Sequence, residues 1–426
     1  MKKLRITGGA RLSGTVRIHG AKNSVLPVLA ACCLCTSPCV LHNCPDIEDV
    51  KTALAILESL GCKTRREGST LCIDASGLSR FRVEKRLAGK MRSSILFLGA
   101  LLARCGKAEL ALPGGCPLGE RPIDLHVKSL SRLGARFSFE KGSLQAEWRK
   151  RLDGDLFLQL PSVGATENLL LACALGEKTV TLHGAAREPE ITDLIGFLRA
   201  AGAEIRGAGT GDLTICGVKK LHGATYTILP DRIETATYLC MAAGAGGEIE
   251  LRRADGRLLA PVIDCLREAG CEIRSEDSRI CMQSAGQLTA ISPVTTAPYP
   301  GFPTDAQAIL MAAVLRARGE SAFHETVFSR RFLHVPELRK LGADIALFGK
   351  TAQVQGVSCL HGAKLQAEDL RGAAALITAS LMAEGESEVL GLAHLARGYE
   401  KLEQNLKNLG AAINSVDIPA PFVYNT

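Results

Sequence analysis

Six short phrases of the chain share one pattern, an amphipathic run that ends at a glycine and passes into alternating residues: ESLGCKT, SRLGARF, RAAGAEI, REAGCEI, RKLGADI and KNLGAAI. Their glycines, Gly61, Gly134, Gly202, Gly270, Gly342 and Gly410, recur about 70 residues apart, so the chain reads as six copies of one unit. In each copy the pattern predicts a helix stopped by a left-handed glycine and followed by a strand. Earlier in each unit lies a second helix pattern that is apolar all round: KNSVLPVLAACCL, KMRSSILFLGALL, TENLLLACAL, DRIETATYLCMAA, TDAQAILMAAVL and EDLRGAAALITASLMA. Such helices must be buried on most sides, with strands and the more amphipathic helices packed around them.

The charges left in these buried segments sit where they begin: Lys22, Arg92, Glu167, Arg232, Asp305 and Arg371. Thr304 with Gln307 has the spacing of a capping box, and Asp231 with Glu234 a similar one. Pro27 is expected in a first turn, where no amide hydrogen is needed. Helix starts that emerge together would aim several positive dipole ends at one cleft and attract phosphates. Three units per lobe gives an α/β protein of two similar domains. The crossings are expected near Gly20 and Ala21 and around Pro230, so residues 1–21 and 230–426 form a discontinuous first lobe. Residues 22–229 form a second lobe, which carries a loop at 112–122.

Composition narrows the chemistry. The 426 residues are 46% hydrophobic and 22% charged, which excludes a disordered tail and suits a globular core of two or more domains. The net charge of +7 favours anionic ligands without the dense basic clusters of a strong nucleic-acid binder, so small acidic metabolites are the expected partners. The N-terminal MKKLRITGGARLSG lacks the apolar run of a secretory signal, and no apolar stretch is long enough to span a bilayer. With 16 scattered cysteines and no exported-protein signature, the expectation is reduced thiols in the cytoplasm.

The stretch LPGGCPLGERPIDLH places Cys116 and Arg121 in one glycine-rich turn. Cys116 is one thiol among many, but Gly114, Gly115 and Gly119 oppose a rigid element, and Arg121 would favour the thiolate if the loop folds over an anion. Asp305 has an ordinary reading as a first-turn acid stabilised by the helix dipole. That dipole would also keep it ionised, so it is the preferred base for a substrate hydroxyl. Lys22 with Asn23, Arg92, Arg121, Arg331, Arg371 and Arg397 could each be a surface charge. Together they recur at helix starts and in Gly- and Pro-marked loops, where they could clamp phosphate or carboxylate. AACCLCTSPC lacks a recognised ligand spacing and reads as buried thiols rather than a metal site. GAGTGD at 207–212 precedes a strand pattern instead of opening a helix, so it reads as a hairpin turn.

The phrases GAKNSVLPVLAA, PGGCPLGERPIDLH, SVGATENLLLA, AAREPEI, PDRIETATY, FPTDAQA, RFLHVPELRKLGA and RGYE, in this order from about Lys3 to Gly410, resemble the UDP-N-acetylglucosamine enolpyruvyl transferase family. The resemblance implies two inverse α/β barrels of three repeats each, with helices inside and sheets outside. It implies transfer of the enolpyruvyl group of phosphoenolpyruvate to the 3′-hydroxyl of UDP-N-acetylglucosamine, with release of phosphate, in the first committed step of peptidoglycan synthesis. No metal or organic cofactor is implied. Carried over by position, Lys22, Asn23, Arg121 and Arg397 match phosphoenolpyruvate-binding residues. Cys116 matches the loop cysteine, which in the family donates a proton to the methylene carbon and is the target of fosfomycin. Arg92, the run Arg121, Pro122, Ile123, Asp124 and Leu125, then Ser162, Val163, Gly164, Asp305 and Val327 match positions that hold the nucleotide sugar. Arg331 and Arg371 match further cleft positions. Two departures stand out: Leu160-Pro161 where many relatives carry a lysine, and Ala396 where an aspartate is frequent.

Two other readings compete. The shikimate-pathway enolpyruvyl transferase shares the fold and phosphoenolpyruvate but not the Cys-bearing loop. A ring-shaped nucleic-acid clamp of six repeats predicts basic helix faces, whereas these helices are apolar with isolated charges at one end.

Overall fold

The computed structural model describes residues 2–111, 123–140 and 142–417; Cys116, Arg121 and Pro122 therefore lie outside the described residues. Six four-stranded sheets surround the apolar helices. One sheet shows the pattern of all: Arg82–Val83 runs parallel to Lys107–Ala111, which pairs antiparallel with Ser143–Trp148, which pairs antiparallel with Ala135–Glu140. The apolar segments form the helices Lys22–Ala31, Leu96–Cys105, Val163–Cys173, Arg232–Ala245, Thr304–Ala313 and Leu370–Met382. In the Leu370 helix every residue from Arg371 to Met382 is buried. An outer helix such as Glu48–Ser59 buries only Asp49, Val50, Ala53, Ile56 and Leu57, one stripe at helical spacing. Helices inside and sheets outside is the inverse α/β barrel arrangement.

The repeated glycines do what the pattern predicts. All six have φ between 92° and 103°, a region closed to most side chains. The chain then folds back so that the amides of Cys62, Ala203, Cys271 and Ala411 donate to Leu57, Leu198, Leu266 and Leu406, satisfying carbonyls the helix end leaves open. GAGTGD joins the antiparallel strands Glu204–Arg206 and Asp212–Cys216, a hairpin connection as expected. Cys32, Cys33, Cys35 and Cys39 are buried.

Buried apolar side chains form two sets, one drawn from Val25 to Ile228 and the other from Leu4 to Ile18 and Ala236 to Ile413. The N-terminal strand Lys2–Thr7 belongs with the latter, because it sits between Glu386–Leu390 and Ala412–Asp417. The two passages between the sets run side by side: Gly20 bridges Pro230, and the Ala21 amide donates to Leu229 at 2.7 Å. Among the described residues no helix is long and apolar enough to cross a membrane.

Three local expectations fail. Pro27 lies inside its helix beyond the first turn, where it leaves the Asn23 carbonyl without its usual amide. Thr304 does not cap: Pro303 holds the cap position, the Thr304 hydroxyl donates to Glu325 at 2.9 Å, and the Gln307 amide has no partner among the described residues. Glu167 is a full turn inside Val163–Cys173, with Ser162 capping that helix by accepting from Ala165 at 3.3 Å. At Asp231 the cap forms, since its carboxylate accepts from Ile233 and Glu234 at 2.8 and 3.0 Å. Glu234 does not reach back to it and binds His19 instead.

Candidate active site

Four inner helices begin at one place. Asp231 caps the Arg232 helix and also accepts from the Lys22 amide at 3.0 Å, which joins the starts of the Lys22 and Arg232 helices. Asp305, in the first turn of the Thr304 helix, is held by Arg331 at 2.8 Å and by Arg371, from the start of the Leu370 helix, at 3.0 Å. Both guanidiniums are almost fully buried, with side chains 2% and 5% exposed against 28% for Asp305. Arg331 is fixed by two bonds to the Thr304 carbonyl (3.1 and 2.8 Å). Arg371 is fixed by the Tyr399 hydroxyl at 3.2 Å, which in turn meets Thr237 at 2.8 Å.

Burial alone would raise the Asp305 pKa, but Arg371 and Arg331 outweigh it, with a further contribution from Lys22, and hold the carboxyl far below its usual range. Asp305 is therefore ionised at any ordinary pH and is a weak proton acceptor while both arginines hold it. Replacing Arg371 by Met removes the larger of these charges, so the Asp305 pKa rises towards the usual carboxylate range. If the ionised form is the active one, activity is then lost as pH falls through that raised value. We expect the pH profile of turnover to gain an acid limb in Arg371→Met that the parent lacks.

A second constellation crosses between the two core sets. Lys22 Nζ lies 3.0 Å from Asp49 Oδ2, and Arg397 contacts both oxygens of the same carboxylate at 2.9 and 3.2 Å. Asp49, in the first turn of Glu48–Ser59, is only 4% exposed at its side chain. The fork-on-carboxylate geometry is the one a guanidinium offers to a carboxylate or phosphate ligand. The same crossing is reinforced by the Glu48 amide donating to Ala396 (3.0 Å) and the Asp46 amide donating to Glu400 (2.8 Å). Arg232 clasps Glu190 at 2.9 and 3.3 Å with both side chains buried, a third link between the sets.

A third corner gathers residues matched to the nucleotide sugar. The Asn168 amide is inserted into the first turn of the Leu96 helix, accepting from Gly99 at 2.7 Å and donating to Ile95 at 2.9 Å. It also meets His126 Nδ1 at 2.8 Å. Gly99 is required here, because a Cβ would lie 2.3 Å from the Asn168 carbonyl. A Cβ on Gly164 would lie 3.4 Å from the His126 ring, so the Val163 helix start abuts the same imidazole. Burial first, then the nearby Arg92 charge, push the His126 pKa down to about 4, so the ring is neutral and keeps Nδ1 as an acceptor. Arg92 opens the 3-10 turn ahead of the Leu96 helix.

Of the sequence-derived candidates, Lys22, Asp305, Arg331, Arg371 and Arg397 meet directly or through Asp49. Asn23 is the second residue of the Lys22 helix and half-buried. Ile123 and Leu125 pack against the core, whereas Asp124 pairs along its own helix with Lys128 at 3.2 Å. Val327 is 44% exposed on a turn organised by buried Glu325, which accepts from the Val327 and Phe328 amides at 2.7 and 3.0 Å. Cys116, Arg121 and Pro122 fall outside the described residues. Sequence reasoning assigned no role to Asp49, Tyr399, Glu190 or Glu325; Glu190 and Tyr399 lie in the phrases AAREPEI and RGYE that carry the resemblance, and Asp49 left a trace only as an acid in a helix-start pattern.

A model of the family described as EPSP synthase (3-phosphoshikimate 1-carboxyvinyltransferase) matches residues 6–406. The chain belongs to this carboxyvinyl transferase family. Among relatives, UDP-N-acetylglucosamine 1-carboxyvinyltransferase 2 of Caldanaerobacter subterraneus subsp. tengcongensis is 45% identical over 413 residues, 97% of this chain and 99% of that protein. UDP-N-acetylglucosamine 1-carboxyvinyltransferase of Granulibacter bethesdensis is 46% identical over 420 residues, 98% of this chain and 100% of that protein. Among solved carboxyvinyl transferase structures, the enolpyruvyl transferase NikO from Streptomyces tendae superposes with TM-score 0.89 at 29% identity, covering 98% of this chain and 99% of that one. EPSP synthase from Acinetobacter baumannii superposes with TM-score 0.74 at 17% identity, covering 98% of this chain and 100% of that one, which shows the shared fold.

Proposed function

We propose that the chain transfers the enolpyruvyl group of phosphoenolpyruvate to the 3′-hydroxyl of UDP-N-acetylglucosamine and releases phosphate. The observation that carries this reading is the cluster of Lys22, Arg397, Arg331 and Arg371 around two carboxylates at converging helix starts. It is a site built for a small, multiply charged anion beside a proton acceptor. The nucleotide sugar is favoured over shikimate 3-phosphate by the Cys116 loop and by the names of the relatives just described.

In this proposal the Cys116 S–H bond breaks as its proton goes to the methylene carbon, leaving positive character on the central carbon. The sugar oxygen attacks that carbon with its electron pair, and its proton passes to Asp305. A carboxylate held so far below its ordinary range is a poor base towards a free alcohol. It is sufficient here because the hydroxyl becomes strongly acidic as its oxygen bonds to the cationic carbon, so attack and proton transfer are concerted. In the second half the bond between the central carbon and the phosphate oxygen breaks, phosphate takes the electron pair beside Lys22 and Arg397 and carries off the proton held by Asp305, and a methyl proton returns to the Cys116 thiolate as the double bond re-forms. Residues 1–21 with 230–426 and residues 22–229 would act as two lobes closing over the reactants and excluding water. The separate core sets and adjacent crossings at Gly20 and Pro230 support that division.

Purified protein mixed with phosphoenolpyruvate and UDP-N-acetylglucosamine is expected to release one phosphate per nucleotide sugar consumed. Release with shikimate 3-phosphate but not with the nucleotide sugar would overturn the assignment.

A further inference from the structure

The far end of the Leu370 helix carries a cluster that the transfer chemistry does not use. Cys359 and His361 lie in the connection between strands Thr351–Gln355 and Lys364–Gln366, and Glu384 lies in the turn between the Leu370 helix and strand Glu386–Leu390. Their ligand atoms all fall within 4.8 Å of one another, with Cys359 Sγ 4.0 Å from His361 Nδ1. Arg371 begins the same 13-residue helix, so the cluster is roughly 18 Å from the Asp305 site at 1.5 Å per residue.

The backbone holds the three residues in place. His361 and Glu384 form a parallel bridge, the Gly362 amide donates to Glu384 at 2.8 Å, and the Glu384 amide donates to Leu360 at 2.7 Å. A third bond, from the His361 amide to Leu341 at 2.8 Å, ties the connection to the end of an outer helix. The Cys359 thiol donates to the Leu360 carbonyl at 3.3 Å, and interaction with the nearby Glu384 carboxylate, before burial, pushes the thiol pKa up. Arg316, anchored on the Met382 carbonyl at 3.5 Å, acts on the thiol in the opposite direction.

We propose that Cys359, His361 and Glu384 bind a divalent transition cation of the Zn²⁺ class, through Sγ, Nδ1 and a carboxylate oxygen. Thiolate, imidazole and carboxylate are the donors such an ion takes, at about 2.3 Å for sulfur and about 2.0–2.2 Å for nitrogen and oxygen. A tetrahedron of those lengths separates its ligand atoms by about 3.3–3.8 Å, so the cluster closes by small side-chain rotations. Binding breaks the Cys359 S–H bond, releases its proton to solvent and forms a metal–thiolate bond. Water fills the fourth position.

The test uses the full chain with Cys116→Ser and Cys281→Ser, which remove the loop thiol and an exposed thiol. Zn²⁺ is titrated in competition with a chromophoric chelator, and Cd²⁺ binding is followed by thiolate-to-metal charge-transfer absorbance. One equivalent is expected to bind, with at least tenfold weaker affinity after each of Cys359→Ser, His361→Ala and Glu384→Gln, and with the charge-transfer band lost in Cys359→Ser. In the otherwise native chain, His361→Ala and Glu384→Gln should leave phosphate release unchanged. A loss below tenfold in any of the three variants, or a band that survives Cys359→Ser, overturns the proposal.

Discussion

Asp305→Asn is expected to lower turnover by about 100- to 10,000-fold, the range in which a positioned proton acceptor acts, while leaving the KM for phosphoenolpyruvate within a few-fold of the parent. Asparagine keeps the shape and one acceptor oxygen towards Arg331 and Arg371 but cannot take the proton of the sugar hydroxyl. The substitution also leaves two buried guanidiniums without their counter-charge. Breaking a buried pair from one side costs about 3–5 kcal/mol, so a lowered thermal midpoint should accompany the loss of turnover. The two effects separate experimentally. Turnover measured well below the melting transition reports the chemistry, and an Asp305→Asn protein that is folded there yet retains more than a tenth of parental turnover would remove Asp305 from the role of base.

Lys22→Met and Arg397→Met form the second large expectation. In the proposed reaction each removes a cation beside the leaving phosphate, and loss of such a preorganised charge costs about 100- to 1,000-fold in rate. Because both cations grip Asp49, the two losses are coupled. With either one gone, the remaining cation is held more tightly by a buried carboxylate and is less available to the substrate. The double variant should therefore fall short of the product of the single effects. Fully multiplicative losses in kcat/KM for phosphoenolpyruvate would show that Asp49 does not connect them.

The repeat architecture is legible in the sequence because its punctuation is local. A left-handed turn at the end of a helix excludes most side chains, so the six glycines from Gly61 to Gly410 mark helix ends without reference to anything distant. The all-apolar helices are legible for a similar reason, since nothing but burial on most sides explains LFLGALLA or AAALITASLMA. Local rules failed where a distant partner intervened. The Thr304 hydroxyl bonds Glu325, 21 positions away, instead of capping its own helix. Pro27 sits in the second turn of a helix whose residues Ser24 to Ala31 are all buried, a placement that the first-turn rule does not foresee.

The charged centre divides along the same line. Lys22, Asp305 and Arg371 show themselves as lone charges at the heads of apolar helices. Asp49 does not, because an acid in a first turn already has an explanation in the helix dipole, and its partner Arg397 is 348 positions away. The consequence for Asp305 was equally hidden. The dipole argument foresees an ionised carboxylate, but only the structure shows the two arginines that also make it a weak base, which is why the proposed reaction has its proton arrive during bond formation.

The most direct test of the proposed chemistry uses phosphoenolpyruvate carrying oxygen-18 at the atom that bridges carbon and phosphorus, incubated with UDP-N-acetylglucosamine and the protein. Carbon–oxygen cleavage predicts that the released phosphate carries the heavy oxygen and that the nucleotide sugar gains an unlabelled carboxyvinyl group. Heavy oxygen retained in the organic product, with unlabelled phosphate, would mean that phosphorus rather than carbon is the centre attacked, and would contradict enolpyruvyl transfer at this site.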